Sequence, residues 1–417
     1  MNAYRIDSRM LNDEHPEWQA LLGQAHRAKT RPSCLCTDPP PPMYIAHVGD
    51  HFAVKRMPNT GGAHAPTCDS YEMPPELSGL SDVLGSAIRE DVDAGTTAIK
   101  LGFSLTRLPG RKPPTGSPAE NASVKADTRK LTLRGLLHYL WESARLNYWT
   151  PGMEGKRNWF VIRKYLLLTV AEISAKGHPL KDVLYIPEAF KLEHKTDIEH
   201  RRKMQLAGLT HTSGHARSLM IVIGLIKEFT RSTSGHLVVL KHLPDFRFAI
   251  AEDLLQRLNK RFENELAMMP HAEHSQILLI GTFGVSPVGI PTLEEIALMN
   301  LTVNAIPFEN LYEFELLQKL TADHRRFVRA LRYNRPSTKP LATALLVDTD
   351  PATALYVDAY GDPEYQMALE ELIAESQLKT WCWNAGPGGG AMLALPPKAV
   401  GATATSATTN PKGVTTC

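Results

Sequence analysis

Apolar positions along the chain follow two different periods. Ile99, Leu101, Phe103 and Leu105 alternate with Lys100, Gly102, Ser104 and Thr106, and a period of two predicts a half-buried strand. From Leu133 the spacing changes. Leu133, Leu136, Leu137, Leu140, Trp141 and Ala144 recur at helical intervals, and a second helix is predicted from about Asn158 to Ser174, beyond the breaker Pro151-Gly152-Met153-Glu154-Gly155. Leu237–Leu240 and Gln276–Ile280 are strand-like runs, with Leu254, Leu255, Leu258, Phe262 and Leu266 marking an amphipathic helix between them. Thr292 followed by Glu295 predicts a helix opening after Pro291. Farther on, a helix from about Tyr312 to Arg332 precedes strands at Leu341–Asp348 and Ala354–Gly361. Asp362 then caps a helix that starts at Pro363, and Thr380–Trp383 is one more strand.

These elements predict an α+β protein of several modules: an N-terminal module over 1–108, a linker over 109–130, a helix-turn-helix-like segment over 131–180, a mixed α/β region over 181–385 and a flexible tail over 386–417. With 417 residues, 43% of them hydrophobic, the chain has material for a sizeable core. The net charge of +2 excludes a strongly basic protein, so an anion-binding surface has to come from local clustering. No run approaches the ~20 apolar residues of a membrane span, and Met1–Asp7 lacks the apolar core of a secretory signal. A cytoplasmic protein without a membrane partner is expected.

The cysteines narrow the chemistry. Five in number, they are too few for a disulfide framework. Cys34, Cys36 and Cys68 cluster near the start, with His64 four positions before Cys68. Three thiolates and an imidazole make a closed tetrahedral zinc site, structural because no position is left for water or substrate. Met43–Ala46 and Phe52–Lys55, joined through Gly49-Asp50, predict a hairpin that returns the chain from Cys36 toward His64. Pro66 suits the first turn of a helix carrying His64 and Cys68 on one face. His47 and His51 are rival ligands.

Other constellations are less specific. Arg145, Lys156, Arg157, Arg163 and Lys164 interleave with Trp149, Trp159 and Tyr165, and Arg201-Arg202-Lys203 forms a basic run. Both patterns suit phosphate contacts with nucleic acid, although tryptophans at helical spacing also build cores. His211 and His215 are four apart, but Ser213-Gly214 interrupts a helix there. Gly386–Gly390 lacks the lysine and hydroxyl of a phosphate loop, and no serine sits in a nucleophile elbow.

The order helix, two strands, helix, strand near the C-terminus resembles the core of the PD-(D/E)xK nucleases. That resemblance implies a divalent ion held by acids on adjacent strands. Asp348 and Asp358 are the candidate carboxylates, but Thr343 stands where the first acid would be and Tyr360 where the lysine would be. A wider resemblance rests on Cys34-Leu35-Cys36 with His64-x-x-x-Cys68 and Tyr71-Glu72, on Leu133–Trp141, and on Leu331-Arg332-Tyr333-Asn334. Together these resemble a bacterial domain-of-unknown-function family encountered on integrative conjugative elements and plasmids. The resemblance implies a mobile-element accessory protein, associated with nucleic acid or with protein partners, and it implies no reaction.

Overall fold

The structure is a computed structural model. It describes residues 3–48, 51–92, 95–107, 128–209, 217–233, 235–268, 275–286 and 289–399. Eight helices occur among them: α1 (Trp18–Arg27), α2 (Leu133–Ser143), α3 (Trp159–Val170), α4 (Lys195–Leu206), α5 (Glu252–Arg261), α6 (Glu263–Ala267), α7 (Leu311–Ala322) and α8 (Pro363–Glu375). With several mixed sheets beside them, the fold is α+β.

The middle of the chain closes on itself. Met220–Ser232 forms a hairpin with Gly235–Leu240, which forms a second with Leu243–Ile250. After α5 and α6, Ser275–Val285 returns to pair antiparallel with the first half of Met220–Ser232. Pro291–Thr302 then fills the remaining gap, antiparallel to Ser275–Val285 and parallel to Leu243–Ile250. A fourth strand beside the first is the Greek key, and the fifth completes a barrel of the OB type. A bulge between Ile226 and Glu228 bends the long first strand, so that it serves two neighbours. Val238, Leu240, Phe248, Ile280 and Phe283 are buried in the core here, and α2 lies against the fourth and fifth strands.

The C-terminal region is a second sheet. Phe327–Arg329, Ala344–Leu346 and Thr353–Asp358 form an antiparallel meander after α7, and α8 crosses over to Lys379–Asn384, which runs parallel. Asp362 caps α8 as expected, its carboxylate accepting from the Glu364 and Tyr365 amides at 2.9 and 3.0 Å. Arg329, Glu313, Arg325 and Asp348 are buried ion-pair partners within this region.

Four expectations need correction. Pro291–Thr302 is a strand and no helix opens at Thr292, because an eleven-position ladder with Ser275–Val285 takes up both Thr292 and Glu295 and outweighs a local cap signal. The helix expected to reach Arg332 ends at Ala322, where His324 adopts a left-handed backbone, and the chain re-enters as the strand Phe327–Arg329. No helix-turn-helix forms: the segment between α2 and α3 contributes Tyr148–Trp149 to the edge of the C-terminal sheet, and Trp141, Trp149 and Trp159 are buried. Residues 386–399 are strapped down. The Trp383 and Trp381 indoles donate to the Gly390 and Ala394 carbonyls at 2.8 and 3.0 Å, and the Ala399 amide donates to the Asp348 carbonyl at 2.8 Å.

At the N-terminal side the hairpin forms as Met43–Val48 and His51–Arg56, its predicted turn Gly49-Asp50 lying outside the described residues. The strand expected over the alternating run does not form: the strand Thr96–Ile99 ends where the run begins, and beyond it Leu101 makes only an isolated bridge with Leu131. Thr96–Ile99 pairs in parallel with Ile173–Ala175, so one sheet joins residues from both sides of the 109–130 segment.

Two sequence phrases that suggested kinship meet in the interior. The Asn334 side chain accepts from the Thr132 amide and hydroxyl at 3.1 and 3.0 Å and donates to the Lys130 carbonyl at 2.7 Å. It therefore clamps the start of α2. A Cβ on Gly135 would lie 2.3 Å from the Asn334 Oδ1, so only glycine allows this approach. His138 Nδ1 accepts from the Tyr333 amide at 2.9 Å, and the Tyr333 hydroxyl donates to Glu142 at 2.5 Å. Burial raises the Glu142 carboxyl to about 7, against the opposing hydrogen bond from Tyr333. The folded state thus holds a proton that the unfolded chain has already released. Stability from this group is full below the ordinary carboxylate range and is lost as pH rises through about 7. Replacing Glu142 with Gln is expected to remove that pH dependence, worth on the order of 2–3 kcal/mol between pH ~4 and ~8, as read from urea melts.

Candidate metal centre

Cys34 ends the short strand Ser33–Cys34, which pairs with Ala3–Ile6 so that Tyr4 stands opposite Cys34. The Leu35 amide donates to the Ala3 carbonyl at 3.0 Å, and Cys36 follows in the turning segment. The hairpin returns the chain to a 3-10 turn at Gly61–Ala63. There the His64 amide donates to the Gly61 carbonyl, and the Cys68 amide donates to the Ala65 carbonyl at 2.8 Å. Two consecutive tight turns bring His64 and Cys68 together, where a helical turn was expected. The Thr37 hydroxyl donates to the Ala63 carbonyl at 3.2 Å, tying the two loops.

The four donor atoms lie within 4.8 Å of one another. Cys34 Sγ and Cys68 Sγ are 3.7 Å apart, Cys36 Sγ and His64 Nδ1 3.4 Å, and Cys68 Sγ and His64 Nδ1 3.7 Å. A tetrahedral ion bonded to sulfur at about 2.3 Å and to nitrogen at about 2.0 Å sets its donors roughly 3.4–3.8 Å apart. The spacing fits such an ion. His47 and His51 stand outside the cluster, with the His47 ring packed on Phe52 at 4.7 Å.

The surroundings suit a neutral imidazole, whereas two of the three sulfurs are held as thiols unless an ion is present. The Ala65 amide donates to Cys36 Sγ and the Ser70 amide to Cys68 Sγ, each at 3.4 Å. Burial pushes the Cys34 thiol up to about 12, with Cys36 and Cys68 beside it, and burial also raises Cys68. Burial opposes ionisation of Cys36 too, but the Ala65 amide and the neighbouring thiols hold it below the ordinary thiol value. Burial and the Arg56 charge depress His64, leaving it uncharged and ready to ligate. Arg56 is itself fixed by Glu72 and by Glu90, and a Cβ on Gly61 would lie 2.4 Å from the Glu72 Cβ. An ion placed here compensates the buried sulfurs and drives their protons off.

The centre belongs to a seam between two parts of the chain. Cys34, Cys68, Tyr71, Met73 and Leu77 share one apolar cluster with Val328, Leu345 and Tyr356 of the C-terminal sheet. The Tyr71 carbonyl accepts from the Tyr148 hydroxyl and from Arg145 Nη1, the latter at 3.2 Å. The Gly79 amide donates to the Leu331 carbonyl at 2.9 Å, and the Ala342 amide to the Leu77 carbonyl at 3.1 Å.

A family profile described as "Protein of unknown function (DUF1173)" matches residues 4–386, taking in the metal centre, the barrel and the C-terminal sheet. The chain belongs to the DUF1173 family. Searches of curated proteins and of solved structures return no match.

Most of the cations predicted to meet phosphate in this DUF1173 chain have other partners. Arg157 donates to the Leu146 carbonyl at 2.8 Å and to the Tyr148 carbonyl, and burial lowers its pKa to about 10. Arg163 donates to the Ile186 carbonyl at 2.9 Å, and the Arg145 guanidinium lies 3.7 Å from the Tyr148 ring centre. Arg202 is buried, pairs with Asp245 at 2.7 Å and covers Phe246. Arg201 is exposed and forks onto Glu188 at 2.9 Å, while Lys156, Lys164 and Lys203 are exposed. Adjacent arginines should therefore respond differently in thermal melts. Arg201→Ala is expected to leave the melting temperature close to the parent's, because its pair with Glu188 is solvent-exposed, and Arg202→Ala to cost about 3 kcal/mol, because it strands Asp245.

The paired acids of the nuclease reading do not meet. Asp348 lies beyond Ala344–Leu346, at the Thr353 end of the neighbouring strand, whereas Asp358 ends that strand, about 16 Å away along it. Asp348 is filled by Arg325 at 2.8 and 2.9 Å and by the Arg326 amide at 2.9 Å. Asp358 accepts from the Tyr360 and Gly361 amides at 3.1 and 3.2 Å and from Gln366 at 2.8 Å. Both are structural acceptors. His211 and His215 lie outside the described residues, and no helix among those residues is long and apolar enough to cross a membrane.

Proposed function

We propose that the chain is a structural-zinc accessory protein of a bacterial mobile genetic element, associated with nucleic acid through its barrel. The closed Greek-key barrel carries this reading. OB-type barrels bind single strands over the face of their second and third strands, and here Arg231 and Arg247 are exposed on the first and third strands. That step is fold analogy; the mobile-element setting rests on the family resemblance. Zinc is the ion that three thiolates and one imidazole favour, and a donor set closed by protein supports a structural role. Anisotropy with a fluorescent single strand and a duplex tests the reading. Binding should weaken steeply with salt and fall severalfold in Arg231→Ala with Arg247→Ala; no binding of either probe at low salt contradicts it.

A protein-adaptor role is supported by a different observation. The outer face of α3 leaves Phe160, Tyr165 and Leu168 exposed by 66, 48 and 57%, an apolar surface of the kind that marks protein contacts. A stable protein complex formed without nucleic acid would favour that role.

A further inference from the structure

A cavity of about 640 Å³ lies between the start of α3 and one end of the barrel, a size suited to a small organic ligand. On the barrel side it meets the Lys241-His242 turn, Leu225 of the first strand and Leu301 near the end of the fifth. Trp159 and Ile162 of α3 complete the walls, and Phe160 and Val303, exposed by 66 and 53%, stand at the open rim. The Trp159 indole donates to the Pro187 carbonyl at 2.8 Å, and its ring stacks on His242 with 5.4 Å between centres. This wall is therefore set before any ligand arrives.

The charges on this lining have one sign. Arg157, Lys191 and Lys241 contribute cations, and among the described residues no acid lines the cavity. Lys191 and Lys241 are exposed and have no ion-pair partner among the described residues. Arg157 is half-buried, and its guanidinium donates to the Leu146 and Tyr148 carbonyls and to Met153 Sδ, with no carboxylate among its described partners. A desolvated cation without a counter-charge is costly, and a bound anion would offset that cost. The neutral polar groups bear on the rest of the ligand. Asn158 Oδ1, Thr302 Oγ1 and His242 Nδ1 already accept from the Val161, Ile306 and Phe190 amides at 3.1, 3.2 and 3.4 Å. Gln276 supplies the one lining side-chain acceptor that holds no amide among the described residues. A nucleobase would bury several donors and acceptors here with few partners. A hydrocarbon body needs no partners and gains from the apolar walls.

We propose that this cavity binds an organic acid with a hydrocarbon body, which lies against Trp159, Ile162, Leu225 and Leu301 while Lys191, Lys241 and Arg157 balance its carboxylate. The assignment does not rest on the nucleic-acid reading. Arg231 lies beside the Ser232–Gly235 turn at the far end of its strand, whereas the cavity opens at the Leu240–Leu243 turn.

The test uses the full chain and the fluorescent anion anilinonaphthalene sulfonate, whose emission rises in an apolar site. The probe should bind saturably, and decanoate should displace it where decyltrimethylammonium and adenosine monophosphate do not. Equal displacement by the cation would mean that apolar contact alone acts, and displacement by the nucleotide would mean that the site takes a base; either overturns the proposal. Lys191→Glu with Lys241→Glu changes two exposed lysines, so the variant should melt like the parent and bind decanoate roughly tenfold or more weakly. Methyl spectra of the unmodified protein locate the ligand without a variant, since the Ile162, Leu225, Leu301 and Val303 signals should shift with decanoate. A dimer in solution that excludes the probe would assign the rim to a second copy of the chain and overturn the proposal. So would the absence of saturable displacement, unmoved methyl signals, or undiminished binding in the lysine variant.

Discussion

Cys36→Ser is expected to abolish metal binding and to lower the stability of the N-terminal seam by several kcal/mol. Cys36 is half-buried, and serine nearly preserves its shape, so the loss would report the metal–sulfur bond more than lost packing. Structural zinc in small sites contributes on the order of 10 kcal/mol of apparent binding free energy near neutral pH. Part of that would be retained here, because Tyr71, Met73 and Leu77 also pack on the C-terminal sheet. Calorimetry on the metal-replete protein should therefore show a lower or split melting transition in Cys36→Ser. Limited proteolysis should open the chain between the Cys36 loop and Tyr71. The exposed Cys382 provides the control, with Cys382→Ser within about 0.5 kcal/mol of the parent. If Cys36→Ser melts like the parent, the ion does not hold the seam.

The second large effect concerns Asp348. Both partners of the Arg325–Asp348 pair are almost fully buried, with side-chain exposures of 4 and 3%. Arg325 also donates to the Pro396 carbonyl at 2.8 Å, so the pair anchors the C-terminal strap. Asp348→Ala leaves a buried guanidinium uncompensated and is expected to cost about 3–5 kcal/mol, measured by denaturant melts. An acid held by a divalent ion would behave oppositely: removing it would abolish magnesium- or manganese-dependent cleavage of plasmid DNA with little loss of stability. A stable Asp348→Ala protein that has lost such cleavage would restore the nuclease reading.

The parts of this architecture visible in sequence share a local cause. Helical spacing from Leu133 and the Asp362-Pro363 cap announce α2 and α8 because side chains a few positions apart fix those helices. The metal donors were legible because thiols and imidazole are rare and clustered, although the turns that bring His64 to Cys68 were not. What escaped depends on distant partners. Thr292 and Glu295 carry a local helix signal, but Ser275–Val285 decides their fate through the ladder. Barrel closure rests on two parallel pairs, Ala249 with Thr292 and Ile250 with Leu293, which no local pattern encodes. Arg157 and Arg202 read as surface cations because charge is visible in sequence, whereas the carbonyls and the carboxylate that receive them are not. Likewise the run Leu133–Trp141 gives no sign that the Tyr333 amide, nearly two hundred positions from His138, donates to its Nδ1.

Zinc K-edge X-ray absorption on the protein purified under reducing conditions tests the central claim most directly. One zinc per chain with three sulfurs at about 2.3 Å and one nitrogen at about 2.0 Å is the predicted result. Substoichiometric metal, or a first coordination sphere dominated by oxygen, would contradict it.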